Sequence, residues 1–232
     1  MRQTTANGRT QPGLVASPRH TVLLIAILLL VAAAGAISKP TRSTTTSASQ
    51  LPTYLSVLVA ELLLLYFTWR GIRRTGTALS DLVGGRWSNP RDVALDLLIA
   101  AALWGALSLF AMAWTRLPHV AQVRSITSLL PRGPSETVAW ILLSLCAGVV
   151  EEIVFRGYLQ RQLWTLTGSA AAGVVAQALV FGVSHGYQGV AACARIVGIG
   201  LMFGAVARWR SSLRPGMIAH VWTDIASGIL RL

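Results

Sequence analysis

Residues 146–159, CAGVVEEIVFRGYL, decide the fold, because they place three ionisable side chains inside an otherwise apolar segment. The three are Glu151, Glu152 and Arg156, and each costs roughly 3 kcal/mol or more at membrane depth. On a helix, Glu152 and Arg156 stand four residues apart and can pair, whereas Glu151 points about 100° away from Glu152. The pattern indicates one carboxylate neutralised locally and one left free for chemistry. The alternative is a structural ion pair beside a residue that lines a polar cavity.

The composition indicates a helical membrane protein rather than a soluble domain. Of the 232 residues, 53% are hydrophobic and only 12% are charged, whereas soluble domains average roughly 25% charged residues. The net charge is +12, and all but one of the 20 basic residues are arginines. These arginines lie mostly between apolar runs, where they orient spans and contact anionic headgroups. We therefore expect a lipid bilayer as a partner, and no nucleic acid.

Seven apolar segments predict an all-α fold, a polytopic membrane bundle of about seven transmembrane helices. The segments are residues 21–38, 51–69, 93–114, 135–166, 169–186, 190–209 and 216–232. Alternation from a cytoplasmic N-terminus places most of the arginines on the cytoplasmic side, in agreement with the positive-inside rule. The prediction is a multi-pass protein of the cell membrane with a cytoplasmic N-terminus.

Composition divides the chain into three parts: a basic tail (1–20), the first membrane helices and their loops (21–134), and the segment that carries the charged motifs (135–232). The first 36 residues also resemble a signal peptide, although a retained anchor is the favoured interpretation. Glu61 interrupts the second apolar segment and is interpreted as a structural polar contact. The two cysteines lie in apolar segments, so no disulfide framework is predicted.

Two further residue pairs have the spacing of one helical turn. Phe181 and His185 are four residues apart, as are His220 and Asp224, so each pair occupies one face of its helix. Taken singly, His185 is more often a satisfied interior histidine, and His220 with Asp224 more often a structural pair.

The spacing around Gly168 indicates that two of these motifs lie at the same height. Gly168 is the predicted turn of a helical hairpin, with Glu151 17 residues before it and His185 17 residues after it. At about 1.5 Å per residue, the two side chains are equally far from the turn. This register lets Glu151 face His185 across antiparallel helices.

The three motifs together resemble those of a known family. EEIVFR, FGVSH and HVWTD match, in order, the EExxxR, FxxxH and HxxxN/D motifs of the CPBP family, the CAAX-processing and bacteriocin-processing intramembrane proteases. The resemblance covers about residues 136–232, and the earlier segments match only in general character. It implies an intramembrane endopeptidase acting on a membrane protein or a lipidated peptide, with no cofactor favoured.

The resemblance also implies roles for individual residues. Glu151 would be the general base, with His185 as its partner on an activated water molecule, and Glu152 with Arg156 would form the supporting ion pair. His220 and Asp224 would face the developing oxyanion. Asp224 departs from the Asn commoner in the family, and an ionised Asp repels an oxyanion. It is therefore either protonated or orients His220 through a ring N–H.

Two other functions stay open for the same motifs. Zinc bound by Glu151, His185 and His220, with water as a fourth ligand, would give a metal-dependent version of the protease, although HExxH spacing is absent. A non-catalytic relative would instead bind a membrane partner or confer bacteriocin immunity.

Overall fold

The computed structural model describes residues 3–4, 10–11, 13–37, 49–84, 86–117 and 129–230. Residues 1–2, 5–9 and 12 of the predicted basic tail lie outside the described residues. The regular secondary structure of the described residues is helical except for one antiparallel pair of two-residue strands, β1 (Gln3–Thr4) and β2 (Thr10–Gln11). The all-α expectation is confirmed, and the strand pair precedes the first helix.

The helices follow the predicted apolar segments. In the described part of the chain they are α1 (Pro18–Ile37), α2 (Leu51–Arg73), α3 (Leu79–Val83), α4 (Pro90–Thr115), α5 (Pro134–Glu151), α6 (Gln160–Thr167), α7 (Ala170–Ser184), α8 (Val190–Arg210) and α9 (Arg214–Leu230). A π-helical segment, Glu152–Leu159, continues α5 into α6, and a 3₁₀ turn, Gly186–Gln188, joins α7 to α8.

Five helical stretches in the described residues are long and apolar enough to cross a membrane. They are Pro18–Ile37, Leu51–Arg73, Pro90–Thr115, Pro134–Thr167 and Val190–Arg210. α7 has 15 residues and α9 has 17, so each is shorter than the roughly 20 residues that span a hydrocarbon core. The chain is a multi-pass membrane protein on these grounds, and the predicted count of seven spans is not confirmed.

The hairpin turn at Gly168 is confirmed. Gly168 ends α6 with a φ of +73°, a left-handed conformation that costs glycine little because it has no Cβ. Ser169 then caps α7, and its side-chain oxygen accepts a hydrogen bond from the Ala172 backbone N–H at 3.2 Å. α7 consequently packs back against α6 and then against α8.

The remaining helices surround this hairpin. α9 packs against both α4 and α5, α2 packs against α5, and α1 lies against α7 and the 3₁₀ turn. The larger core cluster is built around the π segment and includes Val154, Tyr158 and Leu159, none of which is exposed. The π segment therefore lies at the centre of the bundle, and the charged motif lies within it.

The backbone just before α1 is held by one side chain of α6. Gln162 is fully buried; its Oε1 accepts hydrogen bonds from the backbone N–H of Val15 at 2.9 Å and of Ala16 at 3.2 Å, and its Nε2 donates to the Ala16 carbonyl at 2.8 Å. These bonds satisfy backbone groups that burial would otherwise leave unpaired. The end of the predicted tail is thus docked on the bundle.

A buried carboxylate ties α4 to α8. Asp96 is 1% exposed, and its two oxygens accept hydrogen bonds from Arg210 Nε and Trp87 Nε1, both at 2.8 Å. Arg210 is the last residue of α8, and Asp96 lies in the first part of α4. Their bond therefore fixes the position of the end of α8 along α4.

Removing this carboxylate is expected to lower stability. Asp96→Ala leaves the Arg210 and Trp87 donors without their acceptor, a loss of about 1–3 kcal/mol. The measurement is thermal unfolding of the full chain in detergent. Asp92→Ala, one turn earlier on α4, is the matched control and is expected to shift the midpoint less. Equal shifts for the two variants would contradict the role given to Asp96.

Candidate active site

The predicted ion pair lies in the π segment. Arg156 Nη1 and Glu152 Oε1 are 3.0 Å apart, and neither side chain is exposed. Hydrogen bonds in a π-helix close from i to i+5, so its turns are wider than α-helical turns, and such turns occur frequently at functional sites. Glu152 precedes Arg156 by four residues, so the two side chains share a face of the helix even with the wider turn.

Three aromatic rings surround the guanidinium group of Arg156. Its Cζ lies 4.2 Å from the ring centroid of Phe181, 5.0 Å from that of Phe203 and 5.9 Å from that of Phe155. A cation within about 6 Å of a ring face is attracted to it, and more strongly where water is excluded. The aromatic surround therefore helps one carboxylate to compensate a fully buried charge.

Three acidic side chains lie within 4 Å of the ring nitrogens of His220. Its Nδ1 lies 3.2 Å from Glu152 Oε1, and its Nε2 lies 3.6 Å from Glu151 Oε2 and 3.7 Å from Asp224 Oδ2. The first distance is a hydrogen bond, and the other two exceed hydrogen-bond length. Glu152 therefore orients the imidazole ring, and the opposite nitrogen faces two carboxyl groups.

His185 caps the C-terminal end of α7, and one of its ring nitrogens is bonded to its own helix. Its Nδ1 donates to the carbonyl oxygen of Phe181 at 2.8 Å, which leaves Nε2 as an acceptor in the neutral ring. Among the described residues, Glu151 pairs with His220 and has no ion pair with His185. That Glu151 faces His185 with a water molecule between them stays a prediction. The π segment changes the rotation per residue between Glu151 and the hairpin turn, which a purely α-helical register did not include.

Phe181 joins the two histidines. Its ring centroid lies 4.9 Å from that of His185 and 6.3 Å from that of His220, with both ring pairs edge to face. The same ring also covers Arg156. The site is therefore one continuous group of packed side chains, in which His185 borders the acid cluster through an aromatic ring.

A close approach between α5 and α9 brings the acids to His220. A Cβ on Gly148 would lie 2.6 Å from Val221 Cγ2 and 2.9 Å from the Val221 backbone nitrogen, closer than real Cβ contacts. Trp140 Nε1 donates to the Asp224 carbonyl oxygen at 2.8 Å and fixes the register of the same two helices. The sequence analysis missed Gly148 and Trp140. The only signal for them was a small residue and an aromatic residue ahead of the acidic motif.

The proposed zinc set does not form a ligand group. Within the residues that the structure describes, no three His, Cys, Asp or Glu side chains are arranged so that they could hold a metal ion. Both cysteines are free thiols.

The fold and this site define a class: a multi-pass helical membrane protein whose C-terminal half encloses an acid, histidine and arginine cluster. Residues 133–226 match the family model described as type II CAAX prenyl endopeptidase, Rce1-like. The chain therefore contains a domain of that family, and the predicted resemblance is confirmed. Membership at this level indicates an intramembrane endopeptidase. No curated protein and no solved structure matches the chain significantly.

Replacing Arg156 is expected to damage the fold. Arg156→Ala leaves Glu152 as an uncompensated buried carboxylate, which costs roughly 3–5 kcal/mol. Arg156→Lys restores the charge but lacks the planar group that stacks on the rings, so it is expected to rescue only partly. The measurements are yield and melting temperature in detergent. Wild-type values for Arg156→Ala would show that the ion pair contributes nothing.

Proposed function

We propose that this protein is an intramembrane endopeptidase that hydrolyses a peptide bond near the membrane surface, with Glu151 as the general base on a water molecule. The observation that carries the proposal is the convergence of Glu151, Glu152 and Asp224 on His220, inside the matched domain. Buried clusters of acidic side chains around a histidine are frequent in catalytic sites.

The two neighbouring glutamates have different environments, which supports different roles. Glu152 is sealed from solvent and engaged by both Arg156 and His220. The Glu151 side chain is 14% exposed. Its distance to His220 is 3.6 Å, whereas that of Glu152 to His220 is 3.2 Å. A general base must reach a water molecule and accept its proton, and Glu151 fits this role better than Glu152. His185 is proposed as a second contact to that water through Nε2.

His220 and Asp224 are proposed to act on the carbonyl oxygen of the substrate. With Nδ1 held by Glu152, a protonated His220 directs its Nε2–H away from the ion pair and towards the more exposed side of the site. Donors aimed at a developing oxyanion often supply the largest single contribution to rate. Asp224, at 3.7 Å from the same nitrogen, is proposed to orient the ring rather than to contact the oxyanion.

The membrane setting defines the substrate class and the topology that we propose. The substrate is a membrane protein or a lipidated peptide, since the site lies within apolar helices that a soluble protein does not enter. The N-terminus is proposed to be cytoplasmic in the cell membrane, following the distribution of arginines. The catalytic unit is proposed to begin near residue 135 and to be supported by the preceding helices.

Neutralising Glu151 is the central test. Glu151→Gln keeps size and packing but removes the proton acceptor, so cleavage of a reporter peptide in liposomes is expected to fall by roughly 10²-fold or more. His185→Ala is expected to be similarly inactive, and the double variant no worse, because both act on one water. Melting temperature is expected to change little.

Glu152→Gln is the contrasting variant for this experiment, because it removes the counter-charge of Arg156 and is expected to lower yield. A wild type that does not cleave, with a cellular phenotype that Glu151→Gln leaves intact, would instead indicate a non-catalytic relative. Bound zinc in the purified protein, with loss of activity on chelation, would favour the metal-dependent version.

Asp224→Asn is expected to keep activity. It replaces an acid beside His220 by a neutral amide of similar size, so rates are expected to depend less on pH where Asp224 would ionise. Reporter cleavage measured across pH tests this expectation. An inactive Asp224→Asn beside an active Glu151→Gln would invert the assignment and overturn the mechanism.

A further inference from the structure

Glu61 is an acid in the middle of α2, outside the matched domain and unused by the mechanism above. An ionisable side chain within an apolar span is costly and usually serves a function. Its Oε2 atom is sealed from solvent and has no hydrogen-bond partner, and Glu61 belongs to no ion pair within the described residues. The sequence-based interpretation of Glu61 as a structural polar contact stays a prediction.

The packed face of α2 contains Glu61. Tyr54 and Thr68 stand seven residues before and after it, close to two helical turns each way, and are 3% and 0% exposed. Glu61 lies between these two buried residues on the side of α2 that packs on α5 and the π segment. Its carboxyl group therefore points into the bundle and not towards lipid.

Contacts near both ends of α2 fix its height. Near one end, the Tyr54 ring lies 5.5 Å from the Trp140 ring of α5. Near the other, His20 joins the two helices, since its Nε2 donates to the Phe67 carbonyl at 3.1 Å and its Nδ1 bonds to Tyr158 Oη at 2.9 Å.

These contacts show that α2 runs parallel to α5 and the π segment. Glu61 lies about midway between Tyr54 and Phe67, and therefore beside the end of α5, where Glu151 lies.

Electrostatic interactions agree with this height. Glu61 interacts with Glu151 of α5 and with His220 and Asp224 of α9. The phenol of Tyr187, on the 3₁₀ turn, interacts with Glu151, Asp224 and Glu61. Two different elements thus place Glu61 among the groups of the site.

Negative charge is in excess in this cluster. Five groups interact with Glu61: Cys146 and Glu151 of α5, Tyr187 of the 3₁₀ turn, and His220 and Asp224 of α9. Glu152 and Arg156 of the π segment belong to the same cluster through His220. With Glu61 the cluster includes four carboxyl groups but only two groups that carry positive charge. An excess of two negative charges in a water-poor interior is unfavourable, so at least one carboxyl group holds a proton. Of the four, Glu61 is the one that belongs to no ion pair within the described residues.

We propose that Glu61 is a positioning residue of the active site, contributed by a helix outside the matched domain, whose carboxyl group donates a hydrogen bond to the carboxylate of Glu151. This role rests on the proposed function of Glu151 as the base. The neutral donor holds the Glu151 carboxylate towards the water and adds no charge beside the developing oxyanion. If Glu61 ionised, the donor would be lost and two carboxylates would repel each other.

The test compares two variants of the full chain in liposomes. Glu61→Gln keeps a neutral donor and is expected to retain activity near neutral pH. It is also expected to lose the alkaline decline that the wild type shows when Glu61 ionises. Glu61→Leu removes the donor and is expected to lower kcat by about tenfold or more with little change in KM. Ser56→Leu, a polar-to-apolar change on the exposed side of α2, is the matched control and is expected to be fully active.

A second readout does not depend on cleavage. The infrared difference spectrum between wild type and Glu61→Gln is expected to show loss of the C=O band of a protonated carboxyl group. A wild type that cleaves, with an unchanged pH profile in Glu61→Gln and full activity in Glu61→Leu, overturns the role of Glu61 and leaves the proposed function intact. An inactive wild type that shows the infrared band overturns the proposed function alone. Absence of the band shows that Glu61 is ionised and overturns the proposal.

Discussion

The fully buried guanidinium group of Arg156 sets the conditions for the rest of the structure. A charge in an apolar bundle needs a counter-charge and a polarisable surround, and Glu152 with Phe155, Phe181 and Phe203 supplies both. These rings come from the π segment, α7 and α8, so the helices must pack around one cation. Glu152 is then bound to both Arg156 and His220, and of the two glutamates Glu151 keeps the access to solvent that the proposed acid–base chemistry requires.

His220 connects the buried part of the site to its accessible part. One ring nitrogen bonds to the sealed Glu152, and the other faces Glu151 and Asp224, which are both partly exposed. The connection depends on the close approach of α5 and α9, which Gly148 permits and the bond from Trp140 to the Asp224 carbonyl fixes. The packing of α5 against α9 thus also places the groups that are proposed to react.

Much of this could be predicted because charges in apolar runs, helical spacing and glycine turns are local signals. The pair of Glu152 with Arg156, the turn at Gly168 and the helical segments depend only on neighbours along the chain. The partners of Glu151 could not be predicted in the same way, because the π segment changes the register and His220 approaches from a distant helix. The aromatic rings around Arg156 gave no signal, since phenylalanine in an apolar helix is expected in any core. Span number depends on small differences in helix length, and α7 and α9 fall short.

The π segment also has a consequence for how the length of the chain can vary. Each of its turns contains more residues than an α-helical turn, so Glu152–Leu159 contains more residues than the same number of α-helical turns would. Loss of one residue there can be absorbed by closing the wide turns to α-helical ones, and α5 and α6 need not move apart. Because a closed turn takes up the missing residue, the residues beyond the deletion keep their angle relative to the acids. Relatives whose segment is one residue shorter are therefore expected to keep both the bundle and the pairing of the arginine with its carboxylate.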